Sequence, residues 1–345
     1  RMAEAAGAAV ILSPGSTGVL PDAHAQNMHV GGSKGSISGN FAMAEADLLI
    51  VVGSRAVCQA DCSGIGYKRA HAVININGDL ADALHYNKTV ALVGDIGAVA
   101  GRLADKLEAL KANGNKGPWL KACAAKKAEW SAYKQKRYAC GPLRDEAWQK
   151  PVLTQPAAIK LVADFAKEIG AAKFFDAGDV QANGFQIVED ERTGDTFTEA
   201  GASYMGFAAS ALLGAALAEK PRYGIAFCGD GSFMMNPQIL VDAVEHRVRG
   251  MIVIFDNRRM AAISGLQMAQ YQAEFRTNDH VAVDYKTIAG AVSGVLAVSG
   301  GDSADALRSA LRTASKHDGL SVVHVPVYCG PDELGSLGAW GEWNV

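Results

Sequence analysis

Short, unbroken apolar runs closed by turn residues recur through the first third of the chain. They occupy 9–12 before Ser13-Pro14-Gly15, 46–52 before Gly53-Ser54-Arg55, 72–76 before Asn77-Gly78-Asp79, and 89–93 before Gly94-Asp95. Apolar residues at successive rather than alternating positions mark strands buried on both faces, as in parallel sheets. After the last run the period changes. Ile96, Val99, Leu103, Leu107 and Leu110 recur at helical spacing, which predicts a helix over 96–110 with one apolar face. Strand and helix signals alternate, so this part reads as an α/β domain. Residues 1–7 read as the last turns of a helix closed by Gly7, so the chain is expected to open inside a domain.

The stretch 111–117 (KANGNKG) interrupts the pattern. A Lys- and Ala-rich helix is predicted over 118–138, with Trp119, Trp130 and Tyr133, and 140–156 holds Gly141, Pro142, Pro151 and Pro156. A second α/β pattern follows. It comprises a helix over 157–169 ended by Gly170, a strand at 173–176, a small-residue helix over 205–218, and a strand at 223–228 running into Gly229-Asp230-Gly231-Ser232. Then come a helix at 237–246, a strand at 250–256, a helix at 304–316 and a strand at 320–327. The predicted fold is α/β with two parallel-sheet domains. A Rossmann-like first domain spans 1–110, a connector 111–153, and a second domain 154–345. The length of 345 residues also fits two domains at about 150 residues each.

Composition narrows the function classes. Apolar residues make up 49% and charged residues 20%, enough for two cores and too apolar for a disordered chain. The net charge is -3 and no Lys/Arg stripe stands out, so nucleic acid is not an expected partner. The longest apolar stretch, 204–218, is mostly Ala and Gly and is followed by Glu219 and Lys220. It reads as a buried helix, and no membrane partner is expected. The six cysteines are irregularly spaced. Cys58 and Cys62 have no second pair at zinc spacing, and reduced thiols in a cytoplasmic protein are the expectation.

The sharpest chemical signal is Gly229-Asp230-Gly231-Ser232 after one strand and Asp256-Asn257 after the next. A strand–turn–helix–strand unit of that length puts Asp230 and Asn257 at the carboxyl ends of neighbouring parallel strands, the edge where open α/β sheets bind ligands. A carboxylate and an amide oxygen are hard ligands suited to Mg2+. Gly231 and Ser232 begin a helix whose free N–H groups favour phosphate. The pair is therefore expected to clamp Mg2+ and a diphosphate.

These residues resemble the cofactor motif of the thiamine diphosphate (ThDP, also called thiamine pyrophosphate) enzymes of the acetolactate synthase and pyruvate oxidase type. The likeness extends to 200–206 (AGASYMG), which resembles that family's G-x-G-T-M-G segment. It implies that Met205 props the cofactor in its bent form and that the Ser203 carbonyl accepts from the pyrimidine amino group. It further implies metal ligation by Asp230, Asn257 and the Arg259 backbone carbonyl, and cofactor contacts from Gly229, Gly231 and Ser232. Residues 176–181 (DAGDVQ) resemble the loop that meets the diphosphate, with Gly178, Asp179 and Val180 in contact. The family usually has Gln and His where Asp179 and Val180 stand. Gly31, Gly32, Gly39, 46–47, 52–55 and 93–95 follow the family's central domain in order. Some relatives hold FAD there, but no dinucleotide fingerprint is present and FAD is not expected.

The family's pyrimidine domain, which carries the glutamate that activates the cofactor, has no counterpart in this sequence. Glu199 reads as structural. The resemblance thus implies a partner chain supplying that domain, in dimers or tetramers of such pairs. After Asn257, register with the family places Ala262, Ile263 and Leu266 at the substrate. Residues 265–268, 274–277 and 283–285 resemble the cyclic-dione hydrolases, as does the Trp-rich end with Trp340 and Trp343, which either packs on the second domain or lies over the active-site mouth. The expected activity is ThDP- and Mg2+-dependent cleavage of a C–C bond in a cyclic 1,2-dione or related 2-oxo compound. Two alternatives stand beside it: a 2-oxo acid decarboxylase or carboligase, and a non-catalytic ThDP-binding subunit.

Overall fold

The structure, a computed structural model, describes residues 1–55, 60, 62, 64–86, 89–110, 116–199, 201–277 and 281–335. Cys58 and the segment with Trp340 and Trp343 lie outside the described residues. The chain forms two compact units. The first takes in residues 1–133 and 189–193, and the second 134–188 and 194–338. Residues 117–133 of the expected connector therefore cluster with the first unit and 134–153 with the second. Among the described residues, no helix is long and apolar enough to cross a membrane.

In the first unit, helix α1 (Met2–Ala6) ends at Gly7 in the left-handed conformation, as the opening residues suggest. Strands β1 (Val10–Leu12) and β2 (Asn27–Val30) pair in parallel, and helix α2 (Ile37–Glu45) follows with Ser36 accepting the Gly39 N–H at its start. A second parallel sheet holds β3 (Leu48–Val52), β4 (Ala72–Asn77) and β5 (Thr89–Val93) in that order. Two helices follow their strands, α3 (Leu80–Ala83) and α4 (Ile96–Ala109), each capped by an aspartate, Asp79 and Asp95. The helix α5 (Gly117–Tyr138) contains the division between the units.

The second unit is built on one eight-stranded sheet. It opens with β6 (Leu143–Asp145) and β7 (Lys150–Thr154), an antiparallel hairpin, followed by α6 (Gln155–Glu168). Next come β8 (Ala172–Phe175), α7 (Asp179–Ile187), β9 (Thr196–Thr198), α8 (Phe207–Ala216) and β10 (Gly224–Gly229). The short helices α9 (Asp230–Phe233) and α10 (Ile239–Glu245) lead to β11 (Gly250–Asp256). The unit closes with α11 (Ala261–Tyr271), α12 (Tyr285–Gly290), β12 (Leu296–Ser299), α13 (Ala304–Ser315) and β13 (Leu320–Tyr328). The strand order is β6-β7-β13-β11-β10-β8-β9, with β12 also paired to β13, and all pairings but the hairpin are parallel.

Residue alternation explains why this sheet needs helices on both faces. Side chains of a strand point to opposite faces in turn. On β10, Ile225 and Phe227 enter one core cluster, and Ala226 and Cys228 the other. On β11, Met251, Val253 and Phe255 enter the first, and Ile252 and Ile254 the second. The Phe227 ring is the centre of the first cluster. It stacks on Phe175 at 4.2 Å between centroids and on Phe255 at 5.9 Å. Gly184 on α7 lets that helix sit against this stack, since a Cβ there would meet the Phe175 ring at 2.4 Å.

Phe227→Ala is therefore expected to lower the unfolding free energy by about 3–5 kcal/mol, and Phe227→Leu by less than about 1.5 kcal/mol. Urea titration of the full chain measures both.

Candidate functional site

The carboxyl ends of β8, β10 and β11 lie side by side in the second unit, and each strand gives way there to an aspartate. Gly229 is in register with Phe255, so Asp230 and Asp256 leave adjacent strand tips, and Asn257 follows one residue on. All three are buried. Burial, and next to it the charge of Asp256, push the Asp230 carboxyl well above the usual carboxylate range.

The neighbours of this pair are specific. His324 Nε2 on β13 lies 2.8 Å from Asp256 Oδ2, and the Arg258 N–H donates to Asp256 Oδ1 at 3.1 Å. Asn257 Oδ1 accepts the Arg259 N–H at 3.0 Å, and its Nδ2 donates to Gln155 Oε1 at 3.5 Å. The Arg259 guanidinium is held by Glu274 Oε2 at 2.8 Å and the Cys329 carbonyl at 3.1 Å. The Asn257 amide is thus turned with its nitrogen toward Gln155. The helix after Gly229 runs over Asp230–Phe233 and so takes in Gly231 and Ser232 in its first turn.

The segment before α8 sits against the same turn. The sequence reading started this helix at Met205, but the helix starts at Phe207 and leaves Ser203 and Met205 in a loop. The physical reason is Asp176, fully buried just past β8. Its carboxylate accepts the Gly206 N–H at 2.8 Å, the Ala208 N–H at 3.0 Å and the Ala177 N–H at 2.9 Å, while Gly206 has φ 94°. Burial raises the Asp176 pKa in spite of these donors. A Cβ on Gly231 would come within 3.0 Å of Met205 Cε. Met205 and the Gly229-Asp230-Gly231 turn, far apart in sequence, are thereby brought into contact range.

Glu199 organises the other side of the loop. Its carboxylate accepts the N–H groups of Gly201 (2.8 Å), Ala202 (3.0 Å) and Ser203 (2.6 Å). Gln181 Nε2 donates to the Glu199 carbonyl at 2.9 Å, and Gln181 Oε1 accepts from Ser203 Oγ at 3.0 Å. Ser203 is held at φ 53°. Burial by itself would raise the Glu199 carboxyl, but the N–H groups of Ala202, Ser203, Gly201 and Tyr204 hold it below the usual range.

Gly178, Asp179 and Val180 form the start of α7, where Gly178 has φ 89°. The Val180 side chain lies in the core cluster, which leaves its main chain as the part able to meet a ligand. On α11, Ala262 is half-buried, while Ile263 and Leu266 are exposed. Asp176, Gln155, Asp256 and His324 were not legible as site residues. Asp176 and Asp256 stand directly beside the recognised motifs and carried that signal, whereas His324 joins only through the β11–β13 pairing.

The oxygen set fits a divalent cation. Two buried carboxyls lie on adjacent strand tips, and an amide oxygen and a main-chain carbonyl follow directly in the chain, the hard-oxygen donor types such a cation takes.

Comparison with known proteins followed the same division. Residues 1–103 match the central domain of the thiamine pyrophosphate enzymes, and residues 176–325 match their C-terminal TPP binding domain. The chain is 28% identical over 256 residues to the acetolactate synthase isozyme 1 large subunit of Escherichia coli (strain K12), covering 74% of this chain and 42% of that protein. It is 26% identical over 327 residues to the 3D-(3,5/4)-trihydroxycyclohexane-1,2-dione hydrolase of Bacillus subtilis (strain 168), covering 88% of this chain and 50% of that protein. A shorter match to the hydrolase of that name from Lacticaseibacillus casei reaches 43% over 97 residues, covering 26% of this chain and 15% of that protein. The chain spans about half the length, or less, of these relatives.

The Glu199 turn gives a pH-dependent expectation. A carboxyl with a lowered folded pKa stabilises the fold above its unfolded value, about 4.3, and that gain disappears as pH falls through the folded value. The thermal midpoint of the wild type should therefore exceed that of Glu199→Gln at pH 7, and the gap should close as the pH is lowered below about 4. A gap of constant size across that range would contradict the role of the charge.

Proposed function

The chain belongs to the thiamine pyrophosphate enzymes, carrying their central and C-terminal TPP binding domains, and from that premise we propose that it binds ThDP with Mg2+ and takes part in cleaving a C–C bond of a 1,2-dione. The observation that carries this reading is the burial of Asp230 and Asp256 on adjacent strand tips, with Asn257 next in the chain and Met205 at the same turn. When bound, ThDP supplies a nucleophilic carbon and an electron sink for breaking the bond next to a carbonyl. The protein supplies position. Asp230, the Asn257 amide oxygen and the Arg259 carbonyl would hold the metal, and Gly229, Gly231, Ser232, Gly178, Asp179 and the Val180 main chain would border the diphosphate. Met205 and the Ser203 carbonyl would border the rings, in a loop fixed by Asp176 and Glu199.

A cyclic 1,2-dione is favoured as substrate by the match along 88% of the chain to a trihydroxycyclohexanedione hydrolase. The second reading, a decarboxylase or carboligase acting on 2-oxo acids, is supported by the match to acetolactate synthase. Tyr204, Met235, Met260, Ile263 and Leu266, on segments around the strand ends, are exposed. Large apolar side chains left exposed suit coverage by another polypeptide surface. We assign that cover to a domain carrying the activating glutamate.

Calorimetry of the full chain with ThDP and Mg2+ tests the reading directly, and binding is expected. Asp230→Ala should weaken it by more than about 100-fold, since loss of a ligand exceeds the usual effect of an outer-shell change. Unchanged affinity would remove the metal clamp. Met205→Ala should cut turnover about ten-fold or more while shifting affinity less than about three-fold. With the glutamate-bearing partner added, turnover of cyclohexane-1,2-dione is expected. CO2 release from pyruvate would instead support the second reading.

A further inference from the structure

Arg258 stands between the two main-chain positions that carry Asn257 and the Arg259 carbonyl, and it has φ 52°. A left-handed backbone conformation in a non-glycine residue costs of order 1–3 kcal/mol and persists only when its surroundings impose it. Beside the local bonds of the Arg258 and Arg259 N–H groups to Asp256 and Asn257, the surroundings here include a side chain from the β6–β7 hairpin. The Arg258 guanidinium lies over the Trp148 ring at 3.8 Å from its centroid. The same indole donates its Nε1–H to the Asp256 carbonyl at 3.3 Å. Arg258 Nη1 donates to the Ala147 carbonyl at 3.2 Å. Trp148 therefore grips the turn on both sides, at the residue before Asn257 and at the residue after it.

The grip is itself anchored. Asp145, buried at the end of β6, accepts the Ala147 N–H at 2.8 Å, the Trp148 N–H at 3.1 Å and the Cys329 N–H at 2.9 Å. The hairpin turn is thus tied to the end of β13, whose strand borders β11. Against that fixed frame the indole sets the path of the chain from Asp256 to Arg259.

The geometry points to Trp148 as a positioning residue for the metal. By holding Arg258 in its left-handed turn, it sets the main-chain path that carries the Asn257 amide and the Arg259 carbonyl. The inference rests on the ThDP–Mg2+ reading for its ligand but not for the turn itself, which is a property of the metal-free chain.

Two measurements on the full chain test it. In calorimetric titration with Mg2+ and ThDP, Trp148→Ala should bind about ten-fold more weakly than wild type, the scale of one cation–π contact and one hydrogen bond. Trp148→Phe keeps a ring face but loses the indole N–H, so its affinity should fall between those of Trp148→Ala and wild type. Glycine adopts the left-handed conformation without penalty. Trp148→Ala combined with Arg258→Gly should therefore return to within about three-fold of wild type. A loss of packing alone would not be repaired this way. Equal affinity of Trp148→Ala and wild type, or a double variant as weak as Trp148→Ala, would overturn the proposal.

Hydrogen exchange of the metal-free chain separates this failure from that of the cofactor reading. The Arg259 amide, bonded to Asn257 Oδ1, should exchange slowly in wild type, faster in Trp148→Ala and slowly again in the double variant. Should wild type bind no Mg2+ and ThDP at all, the cofactor reading falls and exchange alone decides the clamp. Identical exchange in all three proteins would refute it.

Discussion

Three aspartates end three adjacent strands, and the second unit is arranged around the charge they bring into its interior. Asp176, Asp230 and Asp256 are all buried, and an isolated buried carboxylate is too costly to leave unanswered. Each is answered differently. Asp176 is surrounded by donors: three main-chain N–H groups, with the Cys228 thiol at 3.7 Å. Asp256 has His324 and the Arg258 N–H. Asp230 has the Gly231 N–H, but it also faces the charge of Asp256. Burial and the charge of Asp256 together keep the Asp230 carboxyl well above the usual carboxylate range.

The same carboxylates shape the main chain. Asp176 takes the N–H groups of Gly206 and Ala208 at the start of α8, which are left without helical partners, and so the helix begins at Phe207 rather than Met205. Glu199 does the equivalent work for the N–H groups of Gly201, Ala202 and Ser203. The Met205 loop is thus held at both ends by acids that need no contact with a ligand. Its position is set before anything binds, which is the condition for a prop to act on the shape of a cofactor rather than merely to follow it.

The sequence was most readable where one physical rule acted alone. The run at 250–256 is a parallel strand buried at every position, as its continuous apolarity predicts, while the runs at 46–52 and 72–76 also form parallel strands but are less covered, Leu48 and Val52 being exposed. The Gly229-Asp230-Gly231 turn was readable because glycine and aspartate directly follow such a run. Other elements were hidden by competing signals. Residues 176–181 resemble a loop, yet Asp179–Ile187 is a helix, and Gly184 lets it pack against Phe175 in the core. The β6–β7 hairpin was hidden by Pro142 and Pro151, since a proline demotes a run that would otherwise read as strand. Pro151 is tolerated there because β7 meets β13 only at Leu153 and Thr154. His324 could not be paired with Asp256 from sequence, because nothing local fixes the register of β11 against β13.

That hairpin shows why the site cannot be reduced to its motif. A sheet that ends in an open strand exposes unpaired backbone groups, and a short antiparallel strand is one way to close it. Here the closing element also carries Asp145 and Trp148 to the tips of β13 and β11. The groups around the proposed metal position come from the hairpin, from the ends of β8, β10 and β11, and from β13. None is near the others along the chain except Asp256 to Arg259. Only the completed sheet brings them together, so the packing of Phe175, Phe227 and Phe255 beneath the strand tips and the geometry of the oxygens above them are one cooperative property. A change that loosens the aromatic stack should be felt at the site through strand register, before any ligand contact is altered.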